Sequence, residues 1–163
     1  MASTYEPIAT YTVPSAQASY TFTSIPSTYT DLVLVFSGST TATDNLLIQF
    51  NSDTATNYSN TFLSGSGTAA SSSRFSTRSY IIGNYFYTGS MVNSISQLQN
   101  YSNTTTNKTI LMRDNDAGTT GNVMGTIGLW RSTAAINSIK LYWSATGTFA
   151  TGSTFTLYGI KAA

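Results

Sequence analysis

The chain of 163 residues has no cysteine and no histidine, three prolines, and only 8% charged residues. Without cysteine there are neither disulfides nor thiolate metal sites. Without histidine the usual proton shuttle and the commonest metal ligand are gone. Seven basic against six acidic side chains leave a formal net charge of +1. No field of one sign therefore points to nucleic acid or to an anionic membrane as a partner. No apolar run approaches the roughly 20 residues a membrane-spanning helix needs. The start, Met1 to Glu6, has no basic segment followed by an apolar one, which predicts a chain made in a cytoplasm without a secretory signal.

Hydroxyls fill the gap. Ser and Thr make up about a third of the sequence. Such a surface is neutral, and burying it against a neighbour costs less than burying charge. Aromatic residues at 13% argue against disorder, because they supply the apolar area a packed core requires. No dozen residues keep a 3.6-residue period, and Gly, Ser, Thr and Asn interrupt every candidate helix.

Short strands joined by polar turns fit throughout. The expected strands are 8–13, 18–22, 31–36, 46–50, 58–63, 79–82, 91–101, 107–113, 123–131, 138–143 and 153–160. The run Asp31-Leu-Val-Leu-Val-Phe36 suits a central strand covered on both faces. In 91–101, Val92, Ser94, Ser96 and Leu98 alternate with Asn93, Ile95, Gln97 and Gln99. The small-residue stretch Ser64 to Ser73 reads as a flexible loop. About ten strands at this spacing predict an all-β fold, an antiparallel β-sandwich of jelly-roll type. Residues 1–6 are expected to form a flexible N-terminal arm and 7–163 a single sandwich domain.

Few constellations carry chemistry. A nucleophilic Ser or Thr needs a base, and the bases left are Lys108, Lys140, Lys161 and the six carboxylates. Lys140, between Ile139 and Leu141, reads as a solvent-face residue. Asp114 and Asp116 are two apart, the spacing that puts both on one face of a strand, where they could act as a glycosidase pair or bind a cation. The segment Asp114-Asn-Asp-Ala-Gly118 also has the composition of a turn, and the turn is preferred. Asn51-Ser-Asp53 reads as a loop in the same way, with Asp53 able to offer one oxygen to a cation. No catalytic residue, metal site or cofactor is assigned. Sequons at Asn57, Asn100, Asn103 and Asn107 are chance products of this composition. Arg74 and Arg78 stand apart from other cations, which gives no nucleic-acid pattern. Gly83-Asn-Tyr-Phe-Tyr-Thr-Gly89 places Tyr85, Phe86 and Tyr87 in a row, and alternation cannot bury all three. One or two should fill the core and the rest should form a contact surface for protein or sugar.

Two regions resemble a known family. One is Ser24-Ile-Pro-Ser-Thr-Tyr-Thr-Asp-Leu-Val-Leu-Val35 with Ile48-Gln-Phe-Asn-Ser-Asp-Thr54 and Asn57-Tyr-Ser59. The other is Trp130-Arg-Ser-Thr-Ala-Ala-Ile-Asn-Ser-Ile139 with Phe149-Ala-Thr-Gly-Ser-Thr-Phe-Thr-Leu-Tyr-Gly-Ile-Lys161. Together they resemble small virion structural proteins of tailed bacteriophages, including marine and cyanobacterial ones, and segments that end tail-fibre-like proteins. The likeness runs from Pro7 to Lys161 and is loose from Phe62 to Thr106. It implies a jelly-roll-like sandwich, often a homotrimer, on the outside of a virion. The expected function is non-enzymatic capsid decoration, with the major capsid protein or other virion proteins as partners besides further copies of the chain. The alternative it implies is a tail-fibre or tail-tip module that binds a host-surface glycan or protein.

Overall fold

Alternation of apolar and polar side chains becomes twelve strands in the computed structural model, which describes residues 4–116, 118 and 122–161. In chain order they are β1 (Tyr5–Thr12), β2 (Ser19–Phe22), β3 (Asp31–Gly38), β4 (Asp44–Phe50), β5 (Tyr58–Gly65) and β6 (Ala70–Arg78). Then follow β7 (Ile81–Phe86), β8 (Val92–Leu98), β9 (Lys108–Asp116), β10 (Val123–Trp130), β11 (Ile139–Trp143) and β12 (Thr154–Ile160). An eight-stranded sheet runs β1-β12-β3-β8-β9-β10-β5-β6, and a four-stranded sheet runs β2-β11-β4-β7. Every pairing is antiparallel. The chain crosses repeatedly between the sheets, and its first and last strands pair, so the two layers are wound as a jelly roll. The fold is an all-β antiparallel sandwich, as the strand pattern predicts.

The core lies between the sheets. Leu32, Leu34 and Phe36 of β3 point into it, as do Ile110 and Met112 of β9 and Phe155 and Leu157 of β12. Aromatic rings do much of the filling: Phe155 packs on Phe36 and Phe149, and Trp130 packs on Phe50 and Tyr58. Each such ring fully removed from water contributes about 1.5–3 kcal/mol to folding before entropy is subtracted. Val33, on the other face of β3, is also buried, while Val35 is half-buried. That matches a central strand covered on one face by the core and in part on the other. In β8 the row Val92, Ser94, Ser96 and Leu98 faces inward.

Three expectations are corrected. The stretch Ser64 to Ser73 is not a flexible loop but the tip of a hairpin, in which β5 and β6 pair from Gly65↔Ala70 through Thr61↔Arg74. A turn from Ser66 to Ala69 closes it, with Gly67 at φ +85° and Ser66 N–H donating to the Ala69 carbonyl. Small side chains carry no alternation signal, yet their backbones form ladder hydrogen bonds as well as any. Tyr5 and Glu6 do not belong to a flexible arm, because they pair with Ile160 and Gly159. Glu6 also holds Lys161 in an ion pair at 3.0 Å. Residues 1–3 of the expected arm lie outside the described residues. Finally, Asp114 to Asp116 do not form a turn: they are the last residues of β9, paired with β8 and β10.

Candidate functional site

Strands β5, β8, β9 and β10 are alternating, so each has a second face turned away from the core. On that outer face the register brings Leu63, Gly125, Arg113 and Ile95 into one row across β5, β10, β9 and β8. The next row is Thr61, Ile127, Leu111 and Gln97, and the row on the other side is Gly65, Val123, Asn115 and Asn93. Leu63 is 68% exposed, Val123 and Ile127 are each 62% exposed, and Leu111 is 41% exposed. Four aliphatic side chains thus stand together in water on adjacent strands. Scattered apolar residues need no explanation, but a contiguous group marks a place where something binds.

Gly125 hollows the centre of this face, since a Cβ there would meet no atom within 4 Å. An open trough of about 720 Å³ results, lined among others by Leu63, Ile95, Arg113, Val123 and Gly125. Arg113 is exposed at its floor, and Arg74 lies further out on β6, opposite Thr61. Among the described residues neither guanidinium has a hydrogen bond or an ion pair, and the outward positions of these strands carry no carboxylate. The trough is therefore largely aliphatic, with Arg113, Asp114 and amide groups among its lining. It contains no aromatic ring.

The sequence-predicted surface Tyr85, Phe86 and Tyr87 is split by the fold. Phe86 is fully buried and packs edge-on against Trp143. Tyr85 is 43% exposed and meets the half-buried Tyr87 edge-on, with ring centres 5.6 Å apart. One ring fills the core and two stay at the surface, within the range that alternation allowed. They lie at and just after the end of β7 and do not line the aliphatic trough.

The carboxylates serve the scaffold. Asp116 accepts from the Tyr87 amide at 2.7 Å and the Gly118 amide at 2.8 Å, so it ties the Tyr87 segment to the end of β9. Asp114 shares its inward face and is buried with it. Asp53 accepts from Trp130 Nε1, the Ala55 amide and Asn57 Nδ2. Burial pushes its carboxyl up, but these three donors together hold it below the usual carboxylate value. Asp44 behaves alike: burial raises it, and Ser144 Oγ with the amides of Ala145, Gly147 and Asn45 brings it below the ordinary value. Among the described residues no group of three carboxylates stands close enough to hold a metal ion.

The lysines have structural partners as well. Lys108 is buried and its ammonium donates to the carbonyls of Thr106 and Thr133, at 2.6 and 3.2 Å, while desolvation lowers its pKa. Lys140 lies on the outer side of the small sheet with its ammonium over the Tyr142 ring.

Sequence reasoning missed the trough. Alternation identified which residues share a face, but Leu63, Leu111, Val123 and Ile127 look like core residues until the partner sheet is placed.

No protein-family model matches the chain, and no curated protein matches its sequence. Among solved structures it is similar to the galectin LEC-6 of Caenorhabditis elegans, with 10% identity over 94% of this chain and 96% of that one, at a TM-score of 0.39. It is also similar to the marine PL-14 alginate lyase of Aplysia kurodai, with 8% identity over 83% and 70% of the two chains and a TM-score of 0.31. A third similar structure is a double mutant of the alginate lyase Aly36B in complex with alginate tetrasaccharide. There the identity is 6% over 83% and 72% of the chains, with a TM-score of 0.29.

Proposed function

We propose that the chain is a non-enzymatic structural protein of a bacteriophage particle, one that decorates the capsid shell by docking the outer face of β5, β10 and β9 on a neighbouring virion protein. The observation that carries the docking is the set of exposed Leu63, Leu111, Val123 and Ile127 on the outer face of β5, β10 and β9, with Leu63 and Val123 lining the trough that holds Arg113. Contiguous exposed apolar side chains mark a protein contact surface, and arginine is enriched at such surfaces. The unneutralised Arg113 and Arg74 call for a partner surface that brings a carboxylate. Absence of an aromatic ring in the trough makes it a poor platform for sugar stacking. The particle itself comes from the resemblance carried by the Ser24 to Val35 and Phe149 to Lys161 segments. Binding the assembled shell more tightly than free subunits would stabilise the particle by mass action.

The test is to locate the protein on intact particles by cryo-microscopy, and to mix the purified chain with emptied capsids and separately with host cells. Density distributed over the shell and binding to capsids are the expected results. Density confined to the tail, with binding to cells alone, would assign the chain to a tail-fibre role instead.

A further inference from the structure

Two strand irregularities frame a cleft at the β7 edge of the small sheet. On β7, Gly83 and Asn84 stand opposite the single residue Leu46 of β4, between the pairs Leu47↔Ile82 and Asn45↔Tyr85. This bulge shifts the alternation by one, so Tyr85 faces outward with Ile82 and Phe86 turns into the core. On β6, Ser76 and Thr77 stand opposite the single Ser59 of β5. Thr77 has φ +59°, a left-handed backbone that a β-branched residue adopts only under strain. Bulges and strained residues collect where a strand has to aim side chains at something.

Between these strands lies a cleft of about 240 Å³, whose walls include Phe62, Phe75, Ile82 and Tyr85, with Asn45 and Asn122 among its polar groups. The Phe62 and Phe75 rings stack 5.9 Å apart, and the Arg78 guanidinium lies over Phe75. Asn122 Oδ1 is buried without a hydrogen-bond partner among the described residues. A buried acceptor without a protein donor is met by water or by a ligand hydroxyl that replaces it. Phe62 and Leu63 are neighbours on β5 and face opposite ways, so Phe62 walls the cleft and Leu63 the aliphatic trough, while Ser64 and Met124 border both.

We propose that the cleft binds one neutral pyranose ring of a glycan. Aromatic walls match the apolar faces of a sugar ring, and the amides match its hydroxyls, one of which would donate to Asn122 Oδ1. Among the described residues no side chain lining the cleft is charged at neutral pH, and Arg78, the cation over Phe75, is not one of them, so a neutral ring suits the lining. An aliphatic side chain from a protein partner would leave Asn122 unmet. The volume is below the roughly 300 Å³ at which drug-sized ligand sites begin, which limits the occupant to about one ring.

The experiment uses the full ¹⁵N-labelled chain titrated with neutral trisaccharides of glucose, mannose, galactose and N-acetylglucosamine, followed by amide shifts. Saturable shifts at Ile82, Tyr85 and the Asn122 side chain are expected with at least one of them. Tyr85→Ala and Asn122→Ala should each weaken that binding at least tenfold while the thermal midpoint stays in place. A Leu63→Asp variant, altered only on the docking face, should bind sugar as the parent does, so failure of docking and failure of this site are separable. No shifts with any trisaccharide, shifts elsewhere on the surface, or tighter binding of a uronate trisaccharide would each overturn the proposal.

Discussion

The indole Nε1 of Trp130 donates to Asp53 Oδ2 at 2.6 Å, joining the end of β10 to the loop after β4 across 77 positions of sequence. The same loop contains Asn51 and Ser52 in left-handed conformations, and Asp53 also holds its Ala55 and Asn57 donors. Asp53→Ala would leave the buried indole N–H without an acceptor, at a cost of about 1–3 kcal/mol. A lower urea midpoint with an unchanged slope is the expected outcome. Asp53→Asn keeps an acceptor oxygen and should lose less, so an equal loss for both would show that the charge, not the hydrogen bond, matters.

Acid should remove part of the stability through Asp53 and Asp44. Both carboxyls sit below their ordinary value of 3.8 in the folded chain. A depressed folded pKa means that the unfolded state takes up protons first, so stability rises with pH through this range. The contribution is complete above the unfolded value of about 3.9 and is lost as pH falls through the folded values. Thermal midpoints measured from pH 7 to pH 2 should show Asp44→Asn less stable than the parent at pH 6, with the gap closing on acidification. A gap that widens towards pH 2 would contradict the sign.

Two glycines of β10, three residues apart, should respond oppositely to substitution. A Cβ on Gly128 would sit 2.6 Å from Ile81 Cδ1 and 2.7 Å from Ile110 Cγ2, inside the core. Gly128→Ala should therefore destabilise by about 1–3 kcal/mol through overpacking. Gly125 faces the open trough and meets nothing, so Gly125→Ala should change stability by no more than about 0.5 kcal/mol. Chemical denaturation of both variants checks the pair.

The same strands explain how much of the molecule was legible in advance. Val92, Ser94, Ser96 and Leu98 could be placed on one face because residues two apart in a strand share a side. Which side is covered depends on the other sheet, and so Leu63, Val123 and Ile127 could not be recognised as exposed. The hairpin at Ser64 to Ser73 was hidden because Ser, Gly and Ala give no apolar period, while its pairing comes from the backbone. Tyr85, Phe86 and Tyr87 were recognisable as a group that burial must divide. Their actual division follows from the bulge at Gly83 and Asn84, which shifts the alternation by one residue and is set by pairing with β4.

The exposed aliphatic face yields a separation of folding from docking. Leu63→Asp and Ile127→Asp change side chains that are largely in water, so each should leave stability within about 0.5 kcal/mol of the parent. Each would place a carboxylate where the partner is expected to bring its own, beside Arg113 or Leu111. Capsid binding measured by co-sedimentation should fall at least tenfold for both. Undiminished binding by these folded variants would remove the face from the interface.

Asp114 and Asp116 offer the sharpest test of whether the carboxylate pair is chemistry or scaffold. Their two-residue spacing does put both on one face of a strand, but it is the inward face, and both are buried. Asp116 spends its two oxygens on the amides of Tyr87 and Gly118, which fixes the segment that follows β7 to the end of β9. Asp116→Ala should leave those amides without their acceptor and lower the thermal midpoint. At about 1–3 kcal/mol, the shift for a chain of this length is about 2–12 °C. Hydrogen exchange at Tyr87 and Gly118 should quicken in the same variant. Incubation of the parent with polysaccharides should release no reducing ends. Release that disappears in Asp114→Asn with the exchange pattern intact would make the pair catalytic, and the decoration reading would fall with it.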